Sequence, residues 1–191
     1  MALTQRVIDW QNRGRSVDFR GHQIHVFEQE GEGVPLVMLH GFPSSSYDWQ
    51  PLIDRLEGRR ILAFDFLGFG LSDKPRNHVY SLAWQADLAE ELVRSTFPKE
   101  PVSLLAHDMG TSVATELFAR DLERKLGCDL DGALLFNGSI VLEKASLTRS
   151  QKVLRSRFGG LAAKFSSERI FKREFGAIFS PEHPLSPDEA A

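Results

Sequence analysis

The sequence LLAHDMGTS, residues 104–112, passes from a short apolar run directly into a helical pattern. Small residues, Ala106 and Gly110, stand two positions before and two positions after Asp108. A tight strand-to-helix turn called a nucleophile elbow requires small residues at these positions, and it lifts the side chain at its apex away from the sheet. The segment therefore predicts a sheet packed with helices, in which Asp108 is presented to solvent and to a ligand.

Further apolar runs on both sides of this segment predict buried strands. They are too short for helices and suit strands that are covered on both faces, as in parallel sheets. The runs lie at residues 35–39, 61–65, 102–106 and 133–136, and an earlier run at 24–27 alternates polar and apolar side chains. Helical patterns occupy residues 81–96, with Ser81 as the N-cap, and residues 111–126. Strands that alternate with helices predict an α/β fold with a mostly parallel sheet.

A second motif, His40-Gly41-Phe42-Pro43, directly follows the run at 35–39. In enzymes with a nucleophile elbow, this loop and the residue after the nucleophile each supply a backbone N–H group to an oxyanion hole. The two donors here would belong to Phe42 and Met109. A turn that ends the strand, built on Gly41 and Pro43, explains the same residues. The pairing of this loop with the elbow is what favours the catalytic interpretation.

Aspartate at the apex of the elbow points to a particular chemistry. A carboxylate at a helix N-terminus is stabilised as an anion and can attack an electrophilic carbon without first losing a proton. That chemistry suits alkyl halides and epoxides and produces an alkyl ester. Water must then hydrolyse the ester, which requires a general base, normally a histidine oriented by a second carboxylate. Taken alone, Asp108 is better explained as a helix cap; the motif at His40 reverses that preference.

Composition excludes several classes of protein. A hydrophobic fraction of 42% and a charged fraction of 26% in 191 residues are ordinary for a globular chain, and the net charge of −3 gives no reason to expect nucleic acid as a partner. The single cysteine, Cys128, cannot form an internal disulfide. No signal peptide, membrane span or metal-ligand spacing is visible, so the sequence predicts a cytoplasmic protein without a metal or an organic cofactor. The oligomeric state stays open.

Two longer stretches carry a family resemblance. HGFPSSSYDW, residues 40–49, resembles the opening of epoxide hydrolases and haloalkane dehalogenases, and DFLGFGLSDKP, residues 65–75, looks like the loop after their next strand. Together with His107-Asp108, they are most similar to the branch of the α/β-hydrolase superfamily that contains the mesoderm-specific transcript protein. The resemblance covers residues 16–138.

The resemblance implies both a domain organisation and a site. Residues 1–140 would be the N-terminal part of an α/β-hydrolase core, and residues 141–191 part of a helical cap. The last strands of the fold, with the orienting acid and the catalytic histidine, would be missing. We therefore expect an incomplete chain that folds poorly alone or associates with a partner, and that does not turn over. Asp108 would be the nucleophile, Phe42 and Met109 the oxyanion donors, and His107 and Asn137 neighbours of a small-molecule substrate.

Departures from the family pattern keep a second interpretation open. Many members place tryptophan after the nucleophile to hold a leaving halide, whereas Met109 has no side-chain N–H donor. The tyrosines that protonate an opening epoxide are not visible in the cap region. His183, in the proline-rich tail, is an unconvincing base. The alternative is therefore a non-catalytic fragment or a binding module of the same fold.

The C-terminal stretch differs in character from the rest of the chain. Residues 146–178 read as helix, without a further strand signal, and basic residues outnumber acidic ones. A solvated helix face explains this charge better than a membrane surface or an acidic ligand does. Binding to a membrane is therefore not expected.

Overall fold

The computed structural model describes residues 3–138, 152–153, 156–157, 159, 167–176, 179–180 and 182–184. The chain separates into two compact units, residues 1–142 and 143–191. Most of the predicted helical stretch at 146–178 and the end of the proline-rich tail lie outside the described residues. In the second unit, one helix is described, Glu168–Gly176. The division of the chain into a core and a cap stays a prediction.

The first unit contains a six-stranded sheet and its connecting helices. Its elements, in chain order, are α1 (Gln5–Arg13), β1 (Arg15–Phe19), β2 (His22–Gln29), β3 (Glu32–Leu39), a 3₁₀ helix (Ser46–Trp49), α2 (Gln50–Ile53), β4 (Arg59–Phe64), α3 (Leu82–Thr96), β5 (Val102–His107), α4 (Met109–Leu122) and β6 (Leu130–Phe136). The helix of the second unit is α5.

The strand order is β1-β2-β4-β3-β5-β6. Strands β4, β3, β5 and β6 run parallel to one another, whereas β1 pairs antiparallel with β2, and β2 antiparallel with β4. The predicted α/β fold with a mostly parallel sheet is confirmed. The runs at 24–27, 35–39, 102–106 and 133–136 fall within strands β2, β3, β5 and β6, and the run at 61–65 extends one residue beyond β4. The runs in β3, β4 and β5 are apolar at consecutive positions because these strands are covered on both faces.

The residues before position 20 form a helix and a strand that lie outside the predicted elements. Helix α1 is short but amphipathic: Val7, Ile8 and Trp10 are its less exposed residues. The indole of Trp10 is buried and stacks on Phe27 of β2, with ring centroids 5.0 Å apart. A helix this short is marginal in isolation, so the packing of its apolar face against the sheet stabilises it.

Helices α3 and α4 lie close to their predicted positions. The Ser81 hydroxyl accepts a hydrogen bond of 3.2 Å from the backbone N–H of Trp84, which confirms it as the N-cap of α3. Helix α4 begins at Met109, two residues before the predicted start, and ends at Leu122, four residues before the predicted end. The early start leaves a single residue, Asp108, between β5 and α4.

Apolar side chains cover both faces of the sheet. Because successive strand residues point to opposite faces, Leu104 faces the cluster under α3 and α4, whereas Leu105 faces the cluster under α1, α2 and the 3₁₀ helix. The larger cluster includes Val37, Leu62, Phe64, Leu92, Val93, Leu104, Val113 and Leu117, and the smaller includes Trp10, Met38, Trp49, Ile53, Ile61 and Leu105.

Strand β6 ends the sheet on one side within the described part of the chain. Leu134, Leu135 and Phe136 are 63%, 37% and 38% exposed. The predicted open, apolar edge near residues 133–136 is therefore present among the described residues. None of the helices described in either unit has both the length and the apolar character needed to cross a membrane.

The single cysteine lies between α4 and β6. Cys128 is half-buried and packs against the larger cluster. Burial, together with the nearby carboxylate of Glu90, raises the pKa of its thiol to about 11.

Two leucines of α4 test this packing. We expect Leu117→Ala to lower the free energy of unfolding by about 2–5 kcal/mol, because Leu117 is buried in the larger cluster. Leu122→Ala, on the same helix but 85% exposed, should cost less than about 0.5 kcal/mol. Urea unfolding followed by circular dichroism measures both. Equal losses would contradict the assignment of the buried face of α4.

Candidate active site

The junction between β5 and α4 consists of Asp108 alone. Its backbone has φ 48° and ψ −117°, whereas β5 ends at His107 and α4 begins at Met109. A residue with a β-carbon pays on the order of 1–3 kcal/mol for such a conformation, so the surrounding structure must hold it in place. Strain of this kind is often found where a side chain is held ready for function.

Close backbone contacts explain why small residues flank Asp108. A β-carbon added at Gly110 would lie 2.3 Å from the carbonyl oxygen of Leu39, at the end of β3. A β-carbon added at Gly41 would lie 2.7 Å from that of Asp108. Ala106 is fully buried in β5. The elbow and the loop after β3 are therefore packed directly against each other.

The Asp108 carboxylate does not cap α4. No side-chain hydrogen bond from Asp108 reaches the first turn of this helix. Its Oδ1 instead accepts a hydrogen bond of 2.7 Å from the backbone N–H of Phe42. The main-chain oxygen of Asp108 accepts from the backbone N–H of Thr111 at 3.1 Å and from the Thr111 hydroxyl at 2.6 Å. The carboxylate is thus held against the loop after β3 and away from the role of a helix cap.

The peptide that donates to Asp108 is itself fixed by His40. The His40 Nδ1 lies 2.8 Å from the carbonyl oxygen of Gly41, and its Nε2 lies 3.0 Å from the backbone nitrogen of Phe66. Since Phe66 N–H can only donate, Nε2 accepts and Nδ1 carries the proton that goes to Gly41. The ring is fully buried, and this burial lowers the pKa of His40, so the neutral form is maintained.

A buried carboxylate ties this loop to the loop after β4. Oδ1 of Asp65 accepts from the backbone N–H of Ser46 at 2.7 Å and from its hydroxyl at 2.6 Å, and Oδ2 accepts from the backbone N–H of Leu71 at 2.6 Å. Three donors compensate for removing this group from water. Gly70 must lack a side chain, because its β-carbon would lie 2.1 Å from Asp65 Oδ2. Trp10 of α1 donates to the Ser46 hydroxyl at 3.3 Å.

The predicted site residues are brought together to different degrees. Asp108 and the backbone of Phe42 are in direct contact, and Met109 is the first residue of α4, next to Asp108. The His107 ring lies against Phe136, with centroids 5.2 Å apart, and its Nδ1 is 3.1 Å from the position of a β-carbon at Gly41. Asn137 is exposed after β6 with φ 53°, which is typical of a turn residue, and no described hydrogen bond joins it to Asp108.

Several aromatic side chains belong to residues on the loops and strand ends near Asp108. The Phe42 ring is 51% exposed and meets Phe69 edge-on at 6.1 Å, and Phe136 meets Trp49 at 6.0 Å. Met109 packs at the margin of the larger cluster. This part of the chain thus combines aromatic side chains with the imidazole of His107.

One hydrogen-bonded pair of polar residues, Ser44 and Asp48, was not predicted from the sequence. The Ser44 hydroxyl hydrogen-bonds to Oδ2 of Asp48 and also lies 3.3 Å from the carbonyl oxygen of Gly41. Burial raises the pKa of Asp48, although the hydrogen bond from Ser44 opposes that rise. Only the four-residue spacing of Ser44 and Asp48 could have suggested the pair, and that spacing is common.

Together, the elbow, the loop after β3 and the sheet order define a class of protein. The chain matches the family described as alpha/beta hydrolase fold over residues 34–175, and it belongs to that family.

Its relatives include proteins of known name and structure. It is 50% identical over 184 residues to the putative hydrolase LipZ of Mycobacterium tuberculosis, covering 96% of this chain and 64% of LipZ. It is 35% identical over 192 residues to the mesoderm-specific transcript homolog protein of Homo sapiens, covering 94% of this chain and 56% of that protein. The crystal structure of the haloalkane dehalogenase DatA from Agrobacterium tumefaciens C58 matches with a TM-score of 0.73 at 28% identity, covering 93% of this chain and 60% of DatA. The chain thus spans less than two thirds of each of these proteins.

The close contact at Gly110 predicts that alanine at this position destabilises the protein, although alanine has the higher helix propensity. Replacing a helical glycine with alanine usually stabilises by about 0.5–1 kcal/mol. Gly110→Ala should instead lower the free energy of unfolding by about 1–3 kcal/mol, because the new methyl group would overlap the Leu39 carbonyl. Gly132→Ala in β6, where a β-carbon meets nothing within 4 Å, should cause no loss. Denaturant unfolding of both variants decides; a stabilised Gly110→Ala protein would refute the packing described.

Two buried histidines, His25 and His40, predict how the free energy of unfolding varies with pH. Burial lowers the pKa of His25 and of His40. The unfolded chain therefore binds protons below about pH 6.5 at groups that stay neutral in the folded chain, so the free energy of unfolding should fall as pH drops from about 7.5 to about 5.5. His25→Leu should reduce this slope. Unfolding measured at several pH values would contradict the expectation if the slope were zero or reversed.

Proposed function

We propose that Asp108 is the nucleophile of a hydrolase that forms an alkyl-ester intermediate, in the manner of epoxide hydrolases and haloalkane dehalogenases. The observation that carries the proposal is the Asp108 carboxylate itself. It stands on a strained strand-to-helix junction and accepts the Phe42 N–H at 2.7 Å instead of capping α4. A purely structural aspartate would gain more from the free N–H groups of the helix.

The two carboxylate oxygens would have different tasks. Oδ1 accepts from Phe42, and no hydrogen bond to Oδ2 is described within residues 3–138, so Oδ2 would attack the electrophilic carbon. With an epoxide, the new bond joins Oδ2 to that carbon, the ring C–O bond breaks, and the released alkoxide takes up a proton. Water then attacks Cγ of the ester, and negative charge develops on Oδ1. The N–H of Phe42, with that of Met109 at the start of α4, would stabilise this charge.

The surroundings favour an apolar substrate whose leaving atom is oxygen. Phe42, Phe69 and Phe136 offer aromatic surface next to the nucleophile. Met109 gives no side-chain N–H to a departing halide. We therefore favour an epoxide or another strained oxygen ring over an alkyl halide as the substrate class. Residues 141–191 would form the start of a helical cap.

A non-catalytic binding role is the second candidate, and one observation favours it. Within residues 3–138, no histidine hydrogen-bonds to the Asp108 carboxylate, so this part of the chain holds no group placed to activate water for ester hydrolysis. A nucleophile without a base would form the ester and keep it. A binding module would not form the ester at all.

Covalent trapping separates the two candidates. After incubation with a reactive aryl epoxide, we expect the intact mass of the chain to rise by the full mass of the epoxide, with peptide mapping locating the ester on Asp108. Asp108→Ala should lose the adduct. Asp121→Asn, an exposed carboxylate on α4, should retain it. A folded protein that stays unmodified would favour the binding role, and an adduct that survives in Asp108→Ala would refute the assigned nucleophile.

A further inference from the structure

The peptide group between Gly41 and Phe42 is hydrogen-bonded at both its N–H and its carbonyl oxygen. Its N–H donates to Asp108 Oδ1, and its carbonyl oxygen lies 2.8 Å from the protonated Nδ1 of His40 and 3.3 Å from the Ser44 hydroxyl. Donors at a peptide carbonyl polarise the peptide and strengthen its N–H as a donor. The hydrogen bonds that the Gly41 carbonyl oxygen accepts therefore affect the strength of the hydrogen bond from the Phe42 N–H to Asp108.

The Ser44 hydroxyl faces two acceptors but has one proton. One acceptor is the Gly41 carbonyl oxygen, and the other is Oδ2 of Asp48. While Asp48 is ionised, the serine proton goes to the carboxylate, because charge-assisted hydrogen bonds are the stronger ones. Once Asp48 is protonated, its O–H donates to Ser44 Oγ, and the serine proton becomes available to Gly41.

The groups around Asp48 affect how readily its carboxylate takes up a proton. Residue 48 lies in the 3₁₀ helix and is exposed as a whole residue, while its carboxylate accepts the hydrogen bond from Ser44. The titratable groups that face it are His40 from the end of β3, His107 from the end of β5 and Asp65 after β4. The two histidines favour the charged carboxylate, Asp65 opposes it, and burial, the largest effect, raises the pKa of Asp48.

We propose that Ser44 and Asp48 are positioning residues that set the strength of the Phe42 N–H donor through the Gly41 carbonyl, strengthening it when Asp48 is protonated. This inference rests on the proposed function only for its catalytic consequence. The hydrogen-bond relay itself involves neither substrate nor reaction, so it can be tested even if Asp108 forms no ester.

The test follows the backbone amide of Phe42 by ¹H–¹⁵N NMR. The full chain carries Asp108→Asn, which removes the titration of the nucleophile and keeps an acceptor at position 108. Between about pH 7 and about pH 3, the Phe42 amide proton should shift downfield as Asp48 takes up its proton. Asp48→Asn places a permanent NH₂ donor on Ser44, so it should hold the amide at the low-pH position at every pH.

Variants of Ser44 distinguish a relay through its hydroxyl from a general electrostatic effect of the Asp48 charge on Phe42. Ser44→Ala should abolish the response of Phe42, while the Asp48 carboxyl carbon still titrates, and Ser44→Thr should restore the response. Ser45→Ala is the matched control, because the Ser45 hydroxyl accepts only from the nearby backbone N–H of Tyr47 and should leave the response intact. A Phe42 amide that ignores Asp48, or that follows it unchanged in a folded Ser44→Ala chain, would overturn the proposal.

Discussion

The close approach of α4 to the end of β3 is the constraint on which the site depends. The first turn of the helix passes so near the Leu39 carbonyl that residue 110 has no room for a side chain. This contact fixes the angle at which α4 leaves β5, and with it the unusual backbone of Asp108. Strain at one residue is tolerated because two strands and a helix, all packed in the larger cluster, leave the chain no alternative path.

A second level of organisation lies in the loops. Asp65 gathers donors from the loops after β3 and β4, and Trp10 adds a contact from α1. The donor at Phe42 is therefore supported by residues from most of the first unit, although only its backbone touches Asp108. Such support is what keeps an oxyanion donor in place without reorganisation during a reaction. A change far from Asp108, at Trp10 for example, can reach the nucleophile through Ser46 and the loop after β3.

Much of this arrangement could be predicted from the sequence, for an identifiable reason. The five strands found from apolar runs and the cap at Ser81 follow from patterns of adjacent residues. The hydrogen bond from Phe42 to Asp108, the hydrogen bonds of Asp65 and the pair Ser44–Asp48 do not. Each depends on which groups meet after folding, and the apolar and polar patterns of the sequence do not encode that meeting. The helices expected at 146–178 are described only in part. The roles of all the predicted site residues remain predictions: Asp108, Phe42, Met109, His107 and Asn137.

The burial of Cys128 has a consequence for chemical selectivity. A thiol is usually the side chain that reacts most readily with carbon electrophiles, because its thiolate is intrinsically very nucleophilic. With a pKa of about 11, roughly one such thiol in ten thousand is ionised at pH 7. A carboxylate is a weaker nucleophile by nature, so a thiolate would compete with it for a carbon electrophile. The burial of Cys128 lowers the fraction of thiolate that can react, and it would leave Asp108, the proposed nucleophile, with little competition from sulfur.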